Sequence, residues 1–103
     1  MQRRVLTVDH DQIEVIAKAL SSGVRRGILN ALRDGDLSIQ DLAERMAIPQ
    51  SSCTVNVQAL ERAGLIETRS EAGRKGARKV CSVTYEDAVI PLHSSPPAVS
   101  GDR

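Results

Sequence analysis

Pro49 interrupts an otherwise helical stretch, SIQDLAERMAIPQSSCTVNVQALERAGL from Ser38 to Leu65, and constrains this chain more than any other single residue. A proline inside a helix removes a hydrogen bond and clashes with the preceding turn, and it pushes the residue before it out of the helical region. The stretch therefore reads as two helices joined by a tight turn. Ser38 caps the first, with Asp41 placing a short acid in the positively polarised first turn. Ile39, Leu42, Ala43 and Met46 then recur at helical spacing as one apolar face. Ile48 falls in the turn with its side chain in the core. Pro49 opens the second helix, where its missing N–H costs nothing. Cys53, Val57 and Leu60 repeat at i, i+4 and i+7 and face inward. Ala63 and Gly64 end this helix, the glycine as a left-handed cap. This is the outline of a helix-turn-helix.

The outer face of the second helix is small and polar: Gln50, Ser51, Ser52, Thr54, Val55 and Gln58, followed by Arg62. Such a face is often merely solvated, but it also suits a DNA major groove. Short hydroxyls near a helix N-terminus allow close approach to phosphates, and a glutamine pairs bidentately with an adenine edge. The segments that follow favour the groove. Residues 65–70 and 78–85 read as strands joined by the turn-rich EAGRKGA, with Gly73 and Gly76 permitting positive backbone angles in a loop longer than the tightest hairpin. Arg74, Lys75, Arg78 and Lys79 cluster at its tip. A basic hairpin directly after a recognition helix is a wing, suited to touching phosphates or the minor groove.

The chain carries a formal charge of only +1, but the charge is segregated. Residues 1–44 sum to −1, residues 45–79 to +4 and residues 80–103 to −2. Concentration on the helix and wing is the electrostatic footprint expected of a face that meets phosphates. Tyr85 is the only aromatic residue, so the core must be aliphatic. That also weighs against single-stranded nucleic acid, which is gripped by stacking bases on aromatic rings.

Ahead of the motif, residues 11–20 carry an apolar stripe of Ile13, Ile16, Ala17 and Leu20, and residues 22–33 one of Val24, Ile28, Leu29 and Leu32. With 38–46 these make a three-helix body, the recognition helix 49–63 being fourth. Arg25 and Arg26 either reach phosphates or are ordinary surface charges, solvated or paired with Asp34 or Glu14. The length accommodates one domain. No apolar run approaches the roughly 20 residues that cross a bilayer, and no charged-then-apolar signal segment opens the chain. A cytoplasmic protein with reduced thiols is expected. There is no phosphate-binding glycine loop, nucleophile motif or acid–base pair, so an enzyme is not expected. Cys53 and Cys81 lie 28 residues apart and His10 and His93 near opposite ends, so no local metal-ligand cluster exists. A thiol in the first turn of a helix can be acidified by the macrodipole and act as a redox switch. On a packed stripe, however, a cysteine serves as a small hydrophobe.

The run from VIAKALSSGVRRGILNAL through DLAERMAIPQSS and ALERAGLI to the basic hairpin resembles the winged helix-turn-helix domain of ArsR-type bacterial and archaeal transcriptional regulators over about two thirds of the chain. The resemblance implies a mainly α fold with a small β-hairpin, the three-helix body carrying a recognition helix and a two-stranded wing. It implies that Gln50, Ser51, Thr54, Val55 and Gln58 lie where family members meet bases and nearby phosphates. Asn56 replaces a histidine common in the family, and Val55 stands where many members carry a basic residue, so this helix leans more on its wing. The family's metal-sensing cysteine pair on the first helix of the motif has no counterpart between Ile39 and Met46. Only about seven residues, from Glu86 to Leu92, stand where other members carry a long C-terminal helix, so neither metal nor cofactor is implied.

Operator-binding members are commonly homodimers, their two recognition helices meeting half-sites about one turn of double-stranded DNA apart, and a homodimeric repressor is the reading expected of this chain. Val5, Leu6 and Val8, with Ala88, Val89, Ile90 and Leu92, are apolar residues outside the motif that either form a dimer interface or cover the domain's own core. On this reading residues 1–92 are the DNA-binding domain with terminal dimerisation segments, and residues 93–103 a disordered tail. Two competing readings use the same fold: a winged-helix module that binds a protein partner instead of DNA, and a regulator with a small-molecule pocket at a dimer interface.

Overall fold

The turn between the two motif helices is built on a residue that the sequence does not mark. In the computed structural model, which describes residues 3–73 and 76–93, helix α3 (Ile39–Met46) ends at Ala47, a non-glycine residue in the left-handed region with φ 56° and ψ 44°. The Ile48 N–H donates to the Ala43 carbonyl at 3.1 Å and the Ala47 N–H to the Glu44 carbonyl at 3.1 Å, which satisfies carbonyls that a helix end otherwise leaves open. Ile48 thereby packs against the core, as the apolar turn residue should. Pro49 is the cap of the next helix, not its first residue: its backbone is extended and its carbonyl accepts from the Cys53 N–H at 3.0 Å. Helix α4 then runs Gln50–Arg62, with Ala63 closing it and Gly64 at φ 79° beyond.

Helices α1 (Ile13–Leu20) and α2 (Gly23–Ala31) complete the helical body, a short 3-10 turn at His10–Gln12 leading into the first. The expected Ser38 cap forms, its hydroxyl accepting from the Asp41 N–H at 3.1 Å, and Ser22 caps α2 in the same way, accepting from the Arg25 N–H at 3.2 Å. Two apolar assignments fail. Ala17 is exposed while Ala19 is buried, and Val24, in the first turn of α2, stays exposed beside fully buried Ile28. Each of the two sits at the edge of its apolar stripe, on the side that turns towards solvent. The core is mainly aliphatic: Ile16, Ile28, Leu32, Leu42, Val57, Leu60 and Ile66 are almost entirely buried, joined by two cysteines.

The wing is longer and more tightly closed than expected. Strands β3 (Ile66–Gly73) and β4 (Gly76–Val83) pair antiparallel from Ile66↔Val83 to Gly73↔Gly76, so only residues 74 and 75 connect them. Of the two glycines, Gly76 uses the positive region, at φ 105°, and Gly73 does not. Arg74 and Lys75 lie outside the described residues, as does the expected tail from residue 94. A third strand, β2 (Leu37–Ser38), joins the free edge of β4, with Leu37 opposite Cys81 and Ser38 opposite Val80. The wing is therefore a three-stranded sheet in the order β2-β4-β3, tied to the start of α3.

The terminal segments form a second sheet. Strands β1 (Val5–Thr7) and β5 (Asp87–Val89) pair in parallel, Leu6 opposite Ala88, and the Val8 N–H donates to the Val89 carbonyl at 2.8 Å. Of the apolar residues at the two ends, only some cover the domain's own core. Val8 is buried and Leu6 packs on the core, while Val5, Val89 and Leu92 are exposed and Ile90 and Ala88 stand at the surface. Arg3 grips the ribbon through two hydrogen bonds to Asp87, at 2.7 and 2.9 Å, which hold that carboxyl below its ordinary range.

Cys53 and Cys81 are both fully buried. Cys53 sits on the packed face of α4 with its Sγ 3.8 Å from the Ile39 carbonyl, and burial raises its thiol. Burial also pushes the Cys81 thiol up, from an ordinary 9.0 to about 11, with neighbouring Cys53 adding to the effect. A helix start does not acidify Cys53 when loss of water opposes the thiolate more strongly.

The Ala47 conformation predicts that Ala47→Gly stabilises the protein by about 0.5–1 kcal/mol, the relief of left-handed strain exceeding the extra freedom of the unfolded glycine. A thermal melt that moves down instead of up by a few degrees would contradict it. For the cysteines, the folded state favours neutral thiols, so their contribution to stability is complete below the unfolded value near 9.0 and is lost as the pH rises towards 11. The urea midpoint should fall across that window, less steeply in Cys81→Ala. Iodoacetamide should modify both thiols in urea and neither in the native protein, and rapid native labelling of Cys53 would revive a redox role.

Candidate nucleic-acid interface

Helix α4 has two opposite faces whose separation follows from its 3.6-residue period. Cys53, Val57 and Leu60 are buried, which leaves Ser51, Val55, Gln58 and Arg62 exposed as a stripe at i, i+4, i+7 and i+11. Gln50 is exposed at the start of the helix, and Ser52 and Thr54 flank the stripe half-buried. The Thr54 hydroxyl donates to the Gln50 carbonyl at 3.0 Å. Val55 is 63% exposed, a large apolar side chain held in water in the middle of an otherwise polar stripe.

On the wing, Arg78 and Lys79 are exposed on β4, opposite Glu71 and Ser70. Among the described residues no ion pair holds Arg62, Arg78 or Lys79. Arg69 behaves differently. Its guanidinium donates to Asp36 at 2.9 Å, to Glu71 at 2.9 Å and to the Ser82 hydroxyl at 3.0 Å, so this wing cation is neutralised and serves to fasten β3 to the loop ahead of β2. The +4 counted over residues 45–79 thus overstates the charge that the wing presents.

Among the described residues, Arg25 and Arg26 on α2 do not pair with Asp34, Glu14 or another acid but donate to carbonyls at the end of α1, Arg26 to Leu20 at 2.6 Å and Arg25 to Ala19 at 2.8 Å and Lys18 at 2.9 Å, with Arg26 exposed and Arg25 half-buried. Arg25 also reaches Asn56 on α4 at 3.1 Å. No sequence signal marks a bond between residues 31 positions apart. Among the described residues, no group of three or more His, Cys, Asp or Glu side chains is placed to hold a metal ion, and no helix is long and apolar enough to cross a membrane. A cleft of about 500 Å³ lies away from the α4 stripe, floored by Leu20, Leu29, Leu65 and Val83 and rimmed by Arg33 and Tyr85.

A family model described as a helix-turn-helix domain matches residues 20–69. The HTH-type transcriptional regulator Rv0324 of Mycobacterium tuberculosis is 32% identical over 77 residues, covering 75% of this chain and 32% of its own length. The transcriptional activator HlyU of Vibrio cholerae is 38% identical over 58 residues, covering 56% of this chain and 54% of its own. The chain thus spans about a third of one curated relative and about half of the other. Among solved structures, the homodimeric winged helix-turn-helix DNA-binding domain (fragment 1–100) of Mb0332 from Mycobacterium bovis, a possible ArsR-family regulator, superposes with a TM-score of 0.66. It is 30% identical, with 74% of this chain and 67% of that one covered. With the same helix-turn-helix, the same hairpin after it and this degree of identity, the chain belongs to the ArsR-type winged helix-turn-helix transcriptional regulators.

Proposed function

We propose that the protein is a sequence-specific regulator that binds double-stranded DNA as a homodimer, with α4 in the major groove and the wing on the flanking backbone. The observation that carries this reading is the exposed stripe of α4, polar and narrow, directly opposite the helix's buried face. Within it, Gln58 is suited to an adenine edge and Val55 to a thymine methyl. Gln50, Ser51, Ser52 and Thr54 stand at the helix N-terminus, where phosphate oxygens are favoured. Arg62, Arg74, Lys75, Arg78 and Lys79 supply charge for the backbone on either side.

The dimer is supported by the similarity to a domain described as homodimeric, and by the apolar residues that the β1–β5 ribbon leaves at the surface. Residues 1–92 act as the DNA-binding unit, the terminal segments contributing to the dimer contact, and residues 93–103 as a tail. Repression is the proposed mode because it requires only that a promoter be occupied. Such a regulator works in the cytoplasm, without catalysis or a cofactor.

The test is binding to random duplexes of about 30 base pairs across a salt series, with the molar mass measured in the same buffer. A dimer whose affinity falls steeply with salt is expected; absence of binding at low salt, from a monomer, would favour a protein-interaction module instead. Arg74→Ala with Lys75→Ala should weaken specific and random binding alike and reduce the salt slope by about two. Gln58→Ala should chiefly relax discrimination, by about 1–3 kcal/mol at one base position. Equal losses of specificity from both changes would refute this division of labour.

A further inference from the structure

We infer that Arg25 is a positioning residue for DNA reading: through Asn56 it sets the placement of α4 against α1 and α2, and so governs sequence discrimination and not phosphate affinity. The inference rests on the proposed placement of α4 in the groove.

Three nitrogens of one guanidinium are engaged. Nε donates to the Ala19 carbonyl at 2.8 Å and Nη2 to the Lys18 carbonyl at 2.9 Å, both in the last turn of α1, while Nη1 donates to Asn56 Oδ1 at 3.1 Å. The Arg25 N–H is itself fixed by the Ser22 hydroxyl at the start of α2. Asn56 Nδ2 in turn donates to the Ser52 carbonyl at 2.9 Å, one turn back along α4. A continuous chain of hydrogen bonds therefore runs from the end of α1, through the first turn of α2, into the recognition helix. Arg26 also holds the end of α1, but among the described residues only Arg25 continues to α4.

The chemistry favours arginine over any other cation here. The C-terminal carbonyls of α1 carry the negative end of its dipole, and although the Lys18 carbonyl also accepts from the Ser21 N–H and hydroxyl, at 3.2 and 2.7 Å, they remain a site for further donors. A planar fork with five donors meets two carbonyls and an amide oxygen together, whereas an ammonium has one centre and cannot reach all three. Arg25 and Asn56 are both half-buried, so water competes poorly for the bonds that join Arg25 to Ala19 and to Asn56. Direct base contacts tolerate displacement of only about 0.5 Å, whereas flexible lysine and arginine contacts to phosphate adapt. A small shift of α4 thus degrades discrimination before it degrades affinity.

The experiment compares a duplex enriched by the wild-type protein from a random library with a random duplex of equal length, across a salt series, for wild type, Arg25→Lys, Arg25→Ala, Asn56→Ala and the double alanine variant. Each single change should lower the ratio of the two affinities by about tenfold. The salt slope should hold, and the double variant should lose little more than either single one, because the chain is already broken. A phosphate-contacting arginine gives a different pattern: Arg25→Lys behaves as wild type, and Arg25→Ala lowers the slope by about one while weakening both duplexes alike. Rescue by lysine, full discrimination in Asn56→Ala, or an equal loss on both duplexes as from a smaller folded fraction would each overturn the inference. A wild-type protein that enriches no sequence has no discrimination to position and overturns it as well. One that binds neither duplex at low salt overturns the DNA-binding reading itself, and this inference with it.

Discussion

The left-handed backbone at Ala47 is the constraint from which the exposed surface of this protein follows. It turns the chain between α3 and α4 within three residues, drops Ile48 onto the core and leaves Pro49 extended to start the next helix. With the direction of α4 fixed, burial of Cys53, Val57 and Leu60 fixes its rotation. Nothing else is needed to decide which side chains face outward. The outer stripe is a geometric complement of the inner one, and no polar contact within it has to be formed for the stripe to exist.

The same economy appears in the sheet. Ser38 is a strand residue opposite Val80 and, at the same time, the cap of α3 whose hydroxyl accepts from Asp41. The wing and the helix-turn-helix therefore share a residue, and it is buried. Arg69, between Asp36 and Glu71, is a second fastening on the same side of the sheet. A long hairpin anchored at its base in two places can extend into solvent without its orientation being left to the loop, while its outer half carries Arg78 and Lys79.

What the sequence made legible was local. Ser38 as a cap, Pro49 as the break, Gly64 as the stop and the inward stripe of α4 all rest on residues within a turn or two of one another, and each appears in the fold. The features that escaped are held by partners remote in the chain. Strand β2 is two residues long, too short for any alternation to show. Strands β1 and β5 have three residues each and find one another across the whole domain. Arg25 looks like a surface cation until α1 and α4 are brought beside it. The stripe residues of α4 follow from periodicity, whereas the neutralisation of Arg69 depends on Asp36, 33 positions away.

The β1–β5 ribbon has a mechanical consequence. Its strands are parallel, so the chain enters at one end of the ribbon, before Val5, and leaves at the other, after Val89. Tension applied through the two flanking segments does not peel this pair open one bond at a time. It loads the whole ladder in shear, including the Val8–Val89 and Arg4–Glu86 backbone bonds, all of which must slide together before the domain yields. Two short strands near opposite ends of the described chain thus act as a clasp: the helices sit inside a loop closed by their pairing, and are shielded from force transmitted along the chain.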